Sequence, residues 1–264
     1  MVANMMNVVR PKKSLGQHFL KDQNIARKIV DSLPISSGDQ VLEIGPGTGV
    51  LTQFLLETAS IKLTVIEIDR DSVEFLHEKY HEFPLRIVSG DFLKLDLNSL
   101  FSENFSIIGN FPYNISSQIF FRILDHHDRI PTVVGMVQKE VAERFAAGPG
   151  TKTYGILSVL LQAYYHIEYL FTVGEQVFVP PPKVKSAVVR LTRNSRERLG
   201  CDELFFKQVV KAAFNQRRKV LGNALKPLGC KVPASFASLR GEQLSVEQFI
   251  ELTGLLTRPQ PNGL

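Results

Sequence analysis

Residues 110–113 read Asn-Phe-Pro-Tyr and close the apolar run 105-FSIIG-109. An amide, a constrained backbone and an aromatic ring within four positions suit a particular chemistry. An exocyclic amine on a purine is a poor nucleophile, because its lone pair is delocalised into the ring. The side-chain oxygen of Asn110 and the main-chain carbonyl of Pro112 are two acceptors for its two hydrogens, and holding both frees that lone pair. Proline fixes φ, so its carbonyl is aimed before a substrate arrives. Tyr113 offers a face for a base removed from its own stack. Taken alone the motif is equally a turn, since Asn and Pro are common turn formers.

A second group of residues makes the turn reading less attractive. The run 41-VLEI-44 leads into 45-GPGTG-49 and then a helical pattern, an arrangement that lets backbone approach a ligand at a helix N-terminus. The dinucleotide fingerprint G-x-G-x-x-G fails here, because Gly49 comes one place early and Val50 stands where the third glycine belongs. No G-x-x-x-x-G-K-[ST] occurs either, which argues against a P-loop nucleotidase. Glu67 ends the second apolar run, where its carboxylate can accept both hydroxyls of a ribose. Asp91, in 89-SGDF-92, can accept from an adenine amino group. The set points to an adenosine cofactor that is not a triphosphate. An amine attacking a sulfonium methyl becomes cationic first and loses its proton later, so no general base is required and positioning carries the rate.

These residues need strands to carry them. The runs 41–44, 63–68, 85–88, 105–109 and 132–138 alternate with helical patterns at 50–58, 71–80, 115–124 and 138–147. Strand and helix in alternation predict an α/β fold, a parallel sheet with helices on both faces, its ligand edge at the carboxyl ends. A glycine-rich loop at 148–155, a helix at 156–165 and strands at 167–173 and 184–192 come next, with 180-PPP-182 forcing an extended connection between those strands. Beyond about 196 only helices and turns are expected, so the predicted domains are 1–195 and 196–264.

The bulk numbers agree with a single soluble enzyme-sized chain. Its 264 residues are 44% hydrophobic and 22% charged. No apolar stretch approaches the roughly 20 residues of a membrane span, and the start lacks a signal-peptide pattern. Two cysteines, Cys201 and Cys230, are too few for a disulfide framework and lack metal-ligand spacing, so no metal and a reducing, cytoplasmic setting are expected. The net charge of +5 is unevenly spread: residues 183–264 hold 15 Lys/Arg against 6 Asp/Glu. A basic end on a slightly acidic body suggests a polyanion partner. As one helix, 202–225 would set Phe206, Val210, Ala213, Val220 and Ala224 on an apolar face, with Lys207, Lys211 and Arg218 elsewhere. Arg217 would fall on the apolar face, which calls for a break or a special partner. Lys207, Lys211, Arg217, Arg218 and Lys219 are the candidate RNA contacts.

The segments 43-EIGPGTG-49, Glu67, Asp91 and 110-NFPYNIS-116 together resemble the ribosomal RNA adenine N6-dimethyltransferases. The likeness extends through 15-LGQHFLKD-22, 178-FVPPPKVKSAVVRL-191 and 214-FNQRRKVLGNAL-225. It is strongest to the bacterial branch that dimethylates two adjacent adenines near the 3′ end of small-subunit (16S) rRNA, whose loss gives kasugamycin resistance. The resemblance implies S-adenosylmethionine as donor, a Rossmann-like seven-stranded class I methyltransferase sheet, and a small all-α C-terminal domain. It implies His18 and Leu20 beside the cofactor, Gly45 and Gly47 at its methionine end, Glu67 at the ribose and Asp91 at the adenine. Asn110 would touch donor and target amine, and Phe178 would close on the second face of the flipped base, core packing being its plainer role. The implied partner is small-subunit rRNA within a pre-assembled subunit, met by a monomer with no membrane attachment. Phe111 stands where many members have Leu, Lys185 where Asp is expected, and His18 where some have Asn. A macrolide-resistance-type large-subunit methylase and a non-catalytic ribosome-assembly factor are the alternatives.

Overall fold

The computed structural model describes residues 9–58 and 60–256; the outer ends of the two expected domains, 1–8 and 257–264, lie outside the described residues. Nine strands are found among them: β1 (Phe19–Leu20), β2 (Gln40–Ile44), β3 (Lys62–Glu67), β4 (Leu85–Ser89), β5 (Phe105–Asn110), β6 (Thr132–Gln138), β7 (Tyr165–Val173), β8 (Phe178–Val179) and β9 (Ser186–Arg193). Seven of them form one sheet in the order β4-β3-β2-β5-β6-β9-β7, the sheet expected from the sequence. β2 through β6 pair in parallel, and β9 runs antiparallel to β6. Burial follows from the residue types: β3 is exposed only at Lys62, and β6 is buried from Thr132 to Val137. Near-continuous β-branched runs of this kind need cover on both faces.

Chain order reverses between β2 and β5, which are neighbours although β3 and β4 intervene in sequence. At such a switch point the connections leave in opposite directions and open a crevice at the carboxyl edge. The glycine loop comes directly after β2 there, and Asn110 ends β5 on the other side.

The expected sequence patterns missed two features. Gln23–Asp31 is a helix, capped by Asp22 accepting from the Asn24 and Ile25 N–H groups and burying Ala26, Ile29 and Val30. β1 and β8 make a two-residue antiparallel ladder, Phe19 opposite Val179 and Leu20 opposite Phe178.

Two compact units can be distinguished, one comprising residues through Ala142 with Glu168–Arg193, the other Glu143–Ile167 with Asn194–Leu264. This differs from a single boundary at 195/196. Helix Ile156–Tyr164 is buried on nearly every side and packs with Glu203–Asn215 and Val246–Leu255 of the second unit. Tyr154 meets Phe214 edge-on at 5.8 Å, and Phe214 meets Phe249 at 5.9 Å, so residues before β7 complete the helical core. The helix expected over 202–225 is two, Glu203–Asn215 and Leu221–Ala224, and the turn between them carries Arg217, Arg218 and Lys219. Among the described residues no helix is long and apolar enough to cross a membrane.

Candidate active site

The carboxyl edge of the sheet holds a cleft of about 710 Å³ counted out to its open mouth. That is within the range of small-molecule sites. His18, Gly45, Gly47, Glu67, Asp91, Asn110, Pro112 and Tyr113 all line it, together with Gln17, Phe19, Ile68 and Phe92. Parallel strands explain the convergence: β2, β3, β4 and β5 all end at the same edge, so the loops that leave them meet there.

Gly45, Gly47 and Gly49 have φ of 66°, 56° and 78°, the left-handed region that other residues enter at a cost. A Cβ on Gly47 would also lie 2.9 Å from the Phe19 ring. The loop is braced by Glu67, 4% exposed, whose Oε2 accepts from Gly47 N–H at 3.0 Å while Oε1 accepts from Ile68 and Asp69 N–H at 2.9 Å each. Burial pushes this carboxyl above its ordinary value, against the pull of those three N–H groups. Oε2, which accepts a single bond, keeps lone-pair capacity for a ribose hydroxyl. Asp91 Oδ1 caps the next turn by accepting from Leu93 N–H at 3.0 Å. Ile68, 49% exposed, gives the cleft an apolar wall.

Asn110 donates through Nδ2 to the His18 carbonyl at 2.9 Å, which leaves Oδ1 as an acceptor in the cleft. The Pro112 carbonyl accepts from Ile115 N–H at 3.2 Å and keeps its second lone pair. The His18 ring stacks on Tyr113 with centroids 5.3 Å apart and planes at 25°. Its Nδ1 lies 2.7 Å from the Pro180 carbonyl. The Tyr113 hydroxyl is hydrogen-bonded to Ser186 Oγ, and burial raises its pKa.

The remaining candidates lie elsewhere. Phe178 is 1% exposed and belongs to the core with Leu20, its ladder partner, so its side chain packs and does not face the cleft. Leu20 borders a small adjoining recess with Glu43, Gly45 and Asn110. Arg217 sits in the second unit, with Nε 2.7 Å from Glu242 and Nη2 donating to the Thr151 carbonyl at 3.2 Å; this is the special partner its misfit position called for. Lys211, Arg218 and Lys219 are exposed and Lys207 half-buried. Two residues of the site escaped the sequence reading. Glu43, 1% exposed, accepts from the Thr52 hydroxyl at 2.6 Å, and burial beside Glu67 raises its pKa to about 8. Ser186 lies inside the 178–191 segment of the resemblance, where nothing in the sequence gives its hydroxyl a role.

A seven-stranded sheet with this order, a glycine loop and an acid at the end of the next strand define a class I S-adenosylmethionine-dependent methyltransferase. The model of the ribosomal RNA adenine dimethylase family matches residues 8–243, and the chain belongs to that family. It is 62% identical over 252 residues to the ribosomal RNA small subunit methyltransferase A of Parabacteroides distasonis, covering 94% of each chain. It is 56% identical over 256 residues to the protein of the same name in Cytophaga hutchinsonii, covering 96% of this chain and 99% of the relative. Among solved structures it is similar to a dimethyladenosine transferase from Plasmodium falciparum, with TM-score 0.76 and 27% identity over 89% of this chain and 96% of the other. It is also similar to the 23S rRNA methyltransferase ErmE, with TM-score 0.67 and 27% identity over 89% and 99%.

Proposed function

We propose that this protein, acting as a monomer in the cytoplasm, methylates N6 of two adjacent adenines, twice each, in the 3′-terminal hairpin of small-subunit rRNA within a pre-assembled subunit. The observation that carries the reading is the fixed amide of Asn110: its nitrogen is committed to the His18 carbonyl, which leaves its oxygen as an acceptor, and Asn110 and Pro112 both line the cleft. Bound S-adenosylmethionine supplies an electrophilic methyl group. The cleft fits this donor, with a buried carboxylate for a ribose hydroxyl at Glu67, an acceptor for an adenine amine at Asp91, an apolar wall at Ile68, and a loop whose glycines carry no side chain of their own into the cleft. His18 and Leu20 border the donor, and Gly45 and Gly47 its methionine end.

Asn110 Oδ1 and the Pro112 carbonyl hold the two hydrogens of the target amine and draw its nitrogen toward tetrahedral geometry. Tyr113 supports the base on the ring face that His18 leaves open. With the Phe178 side chain in the core, stacking falls to Tyr113. Positioning of the amine and stabilisation of its developing positive charge supply the rate. The helical unit, with Lys207, Lys211, Arg218 and Lys219, contacts rRNA phosphates and sets register. Small-subunit specificity is supported by the 55–62% identity to small subunit methyltransferases, against 27% to the 23S enzyme.

The test is transfer of labelled methyl groups to small subunits lacking the modification, with mass spectrometry of the rRNA fragments to count and place the methyls. Asn110→Ala is expected to lose at least about 100-fold in kcat, in line with removal of a positioned transition-state contact. Full activity of that variant, or methylation of large-subunit rRNA alone, would sink the proposal.

A further inference from the structure

Ser186 opens β9 opposite Gln138 of β6 and is wholly buried, at 0% exposure. Its neighbours Ala187, Val188 and Val189 are equally buried and apolar, so packing alone asks for no hydroxyl at this position. A buried hydroxyl is costly unless it is paired. Here the pair is the Tyr113 hydroxyl.

We infer that Ser186 is a positioning residue for methyl transfer: its hydroxyl anchors the tip of the Tyr113 ring and holds the ring's open face at the angle the target base needs. The inference rests on the reading of Tyr113 as the base platform. A tyrosine ring has two side-chain torsions, and the residues around Tyr113 restrain them from three directions. Pro112 and the Ile115-to-Pro112 turn bond fix the backbone on which the ring is mounted. His18 covers one face and is held through Pro180 and Asn110. Neither contact stops the ring from sliding in its own plane. The bond at the phenol tip does, and its anchor is rigid: β9 pairs with β6 along its length, and Lys139 N–H donates to the Lys185 carbonyl at 2.9 Å. A platform displaced by a fraction of an ångström carries the amine away from Asn110 and Pro112, which is where a positioned reaction loses rate. Ser186 touches no reacting atom and acts through Tyr113.

The experiment compares the wild type, Ser186→Ala, Tyr113→Phe and the double variant in methyl transfer to small subunits lacking the modification, alongside donor affinity by calorimetry. Each single change is expected to lower kcat about three- to tenfold, the worth of one hydrogen bond. Donor affinity should be unchanged, and the double variant should be no slower than the slower single. A purely structural role would not give that non-additive kcat. Wild-type kcat in Ser186→Ala, or penalties that multiply in the double variant, would overturn the inference. If Ser186→Ala does not fold, Tyr113→Phe decides, because it removes the same bond and keeps the ring; unchanged kcat there overturns it too. A wild type that transfers no methyl to these subunits overturns the functional reading and the inference together. An active wild type with an indifferent Ser186 overturns the inference alone.

Discussion

Replacing Gly135 by alanine tests how the two acceptors are held in line. Gly109 and Gly135 are register partners on β5 and β6, and the Phe111 ring lies across both. A Cβ on Gly135 would sit 2.5 Å from Phe111 Cε2, inside the closest approach that real Cβ atoms show. Phe111 is 1% exposed and meets Phe120 edge-on at 5.6 Å, so the ring has no free direction in which to yield. Gly135 has no positive φ, so alanine adds no backbone strain and gains about 0.4–1 kcal/mol by restricting the unfolded chain. Overpacking works the other way at about 1–3 kcal/mol. The clash here involves a boxed-in aromatic ring, so it wins, and the net expectation is a loss of about 1–2 kcal/mol. Because Phe111 lies between Asn110 and Pro112, the displacement that relieves the clash also moves both acceptors. Methyl transfer should therefore fall further than the folded fraction does. Adding Phe111→Leu removes the ring edge and should restore stability and activity together. Urea unfolding and methyl transfer on the wild type and the two variants measure both quantities. A Gly135→Ala protein as stable and active as the wild type, or one that Phe111→Leu does not relieve, refutes the reasoning.

The buried Glu43 makes stability depend on pH. Between its ordinary pKa of 4.5 and about 8 the folded protein keeps a proton that the unfolded chain releases, so stability falls as pH rises through that window. Glu43→Gln removes the dependence, and its advantage in urea unfolding should grow from near zero at pH 4.5 to several kcal/mol at pH 8; an advantage independent of pH would contradict the assignment. In the helical unit, Arg218→Ala should lower the salt slope of rRNA binding by roughly one unit or less for each phosphate left unneutralised. Arg217→Ala should leave that slope unchanged, because its guanidinium is already paired with Glu242; titrations at several salt concentrations that showed the two variants alike would refute the distinction.

The candidate cleft was legible in the sequence for a geometric reason. In a parallel sheet the strands all end at one edge, so Gly45, Glu67, Asp91 and Asn110 needed only correct strand assignments to be brought together. What was not legible shares a different cause. For Phe178 the sequence left base contact and core packing both open, and only a two-residue ladder with β1, some 158 positions earlier in the chain, shows it in the core. Arg217 was marked as out of place by helical periodicity, but its partner lies 25 residues on and beyond two further turns. The helix that leads into it stops after Asn215 without a glycine or proline to announce the stop. Residues 143–167 join the helical unit through tertiary packing, which no composition shift at that point records. Ser186 belongs with these: a serine at the head of an apolar strand carries meaning only once Tyr113, 73 residues earlier, is seen at its hydroxyl. Backbone topology thus gathers the groups proposed to meet donor and base, whereas the contacts that aim them are side-chain pairs between distant segments. Losses of rate without loss of donor binding should accordingly concentrate at residues such as Ser186 and Phe111, whose side chains aim the neighbouring groups and touch neither donor nor base.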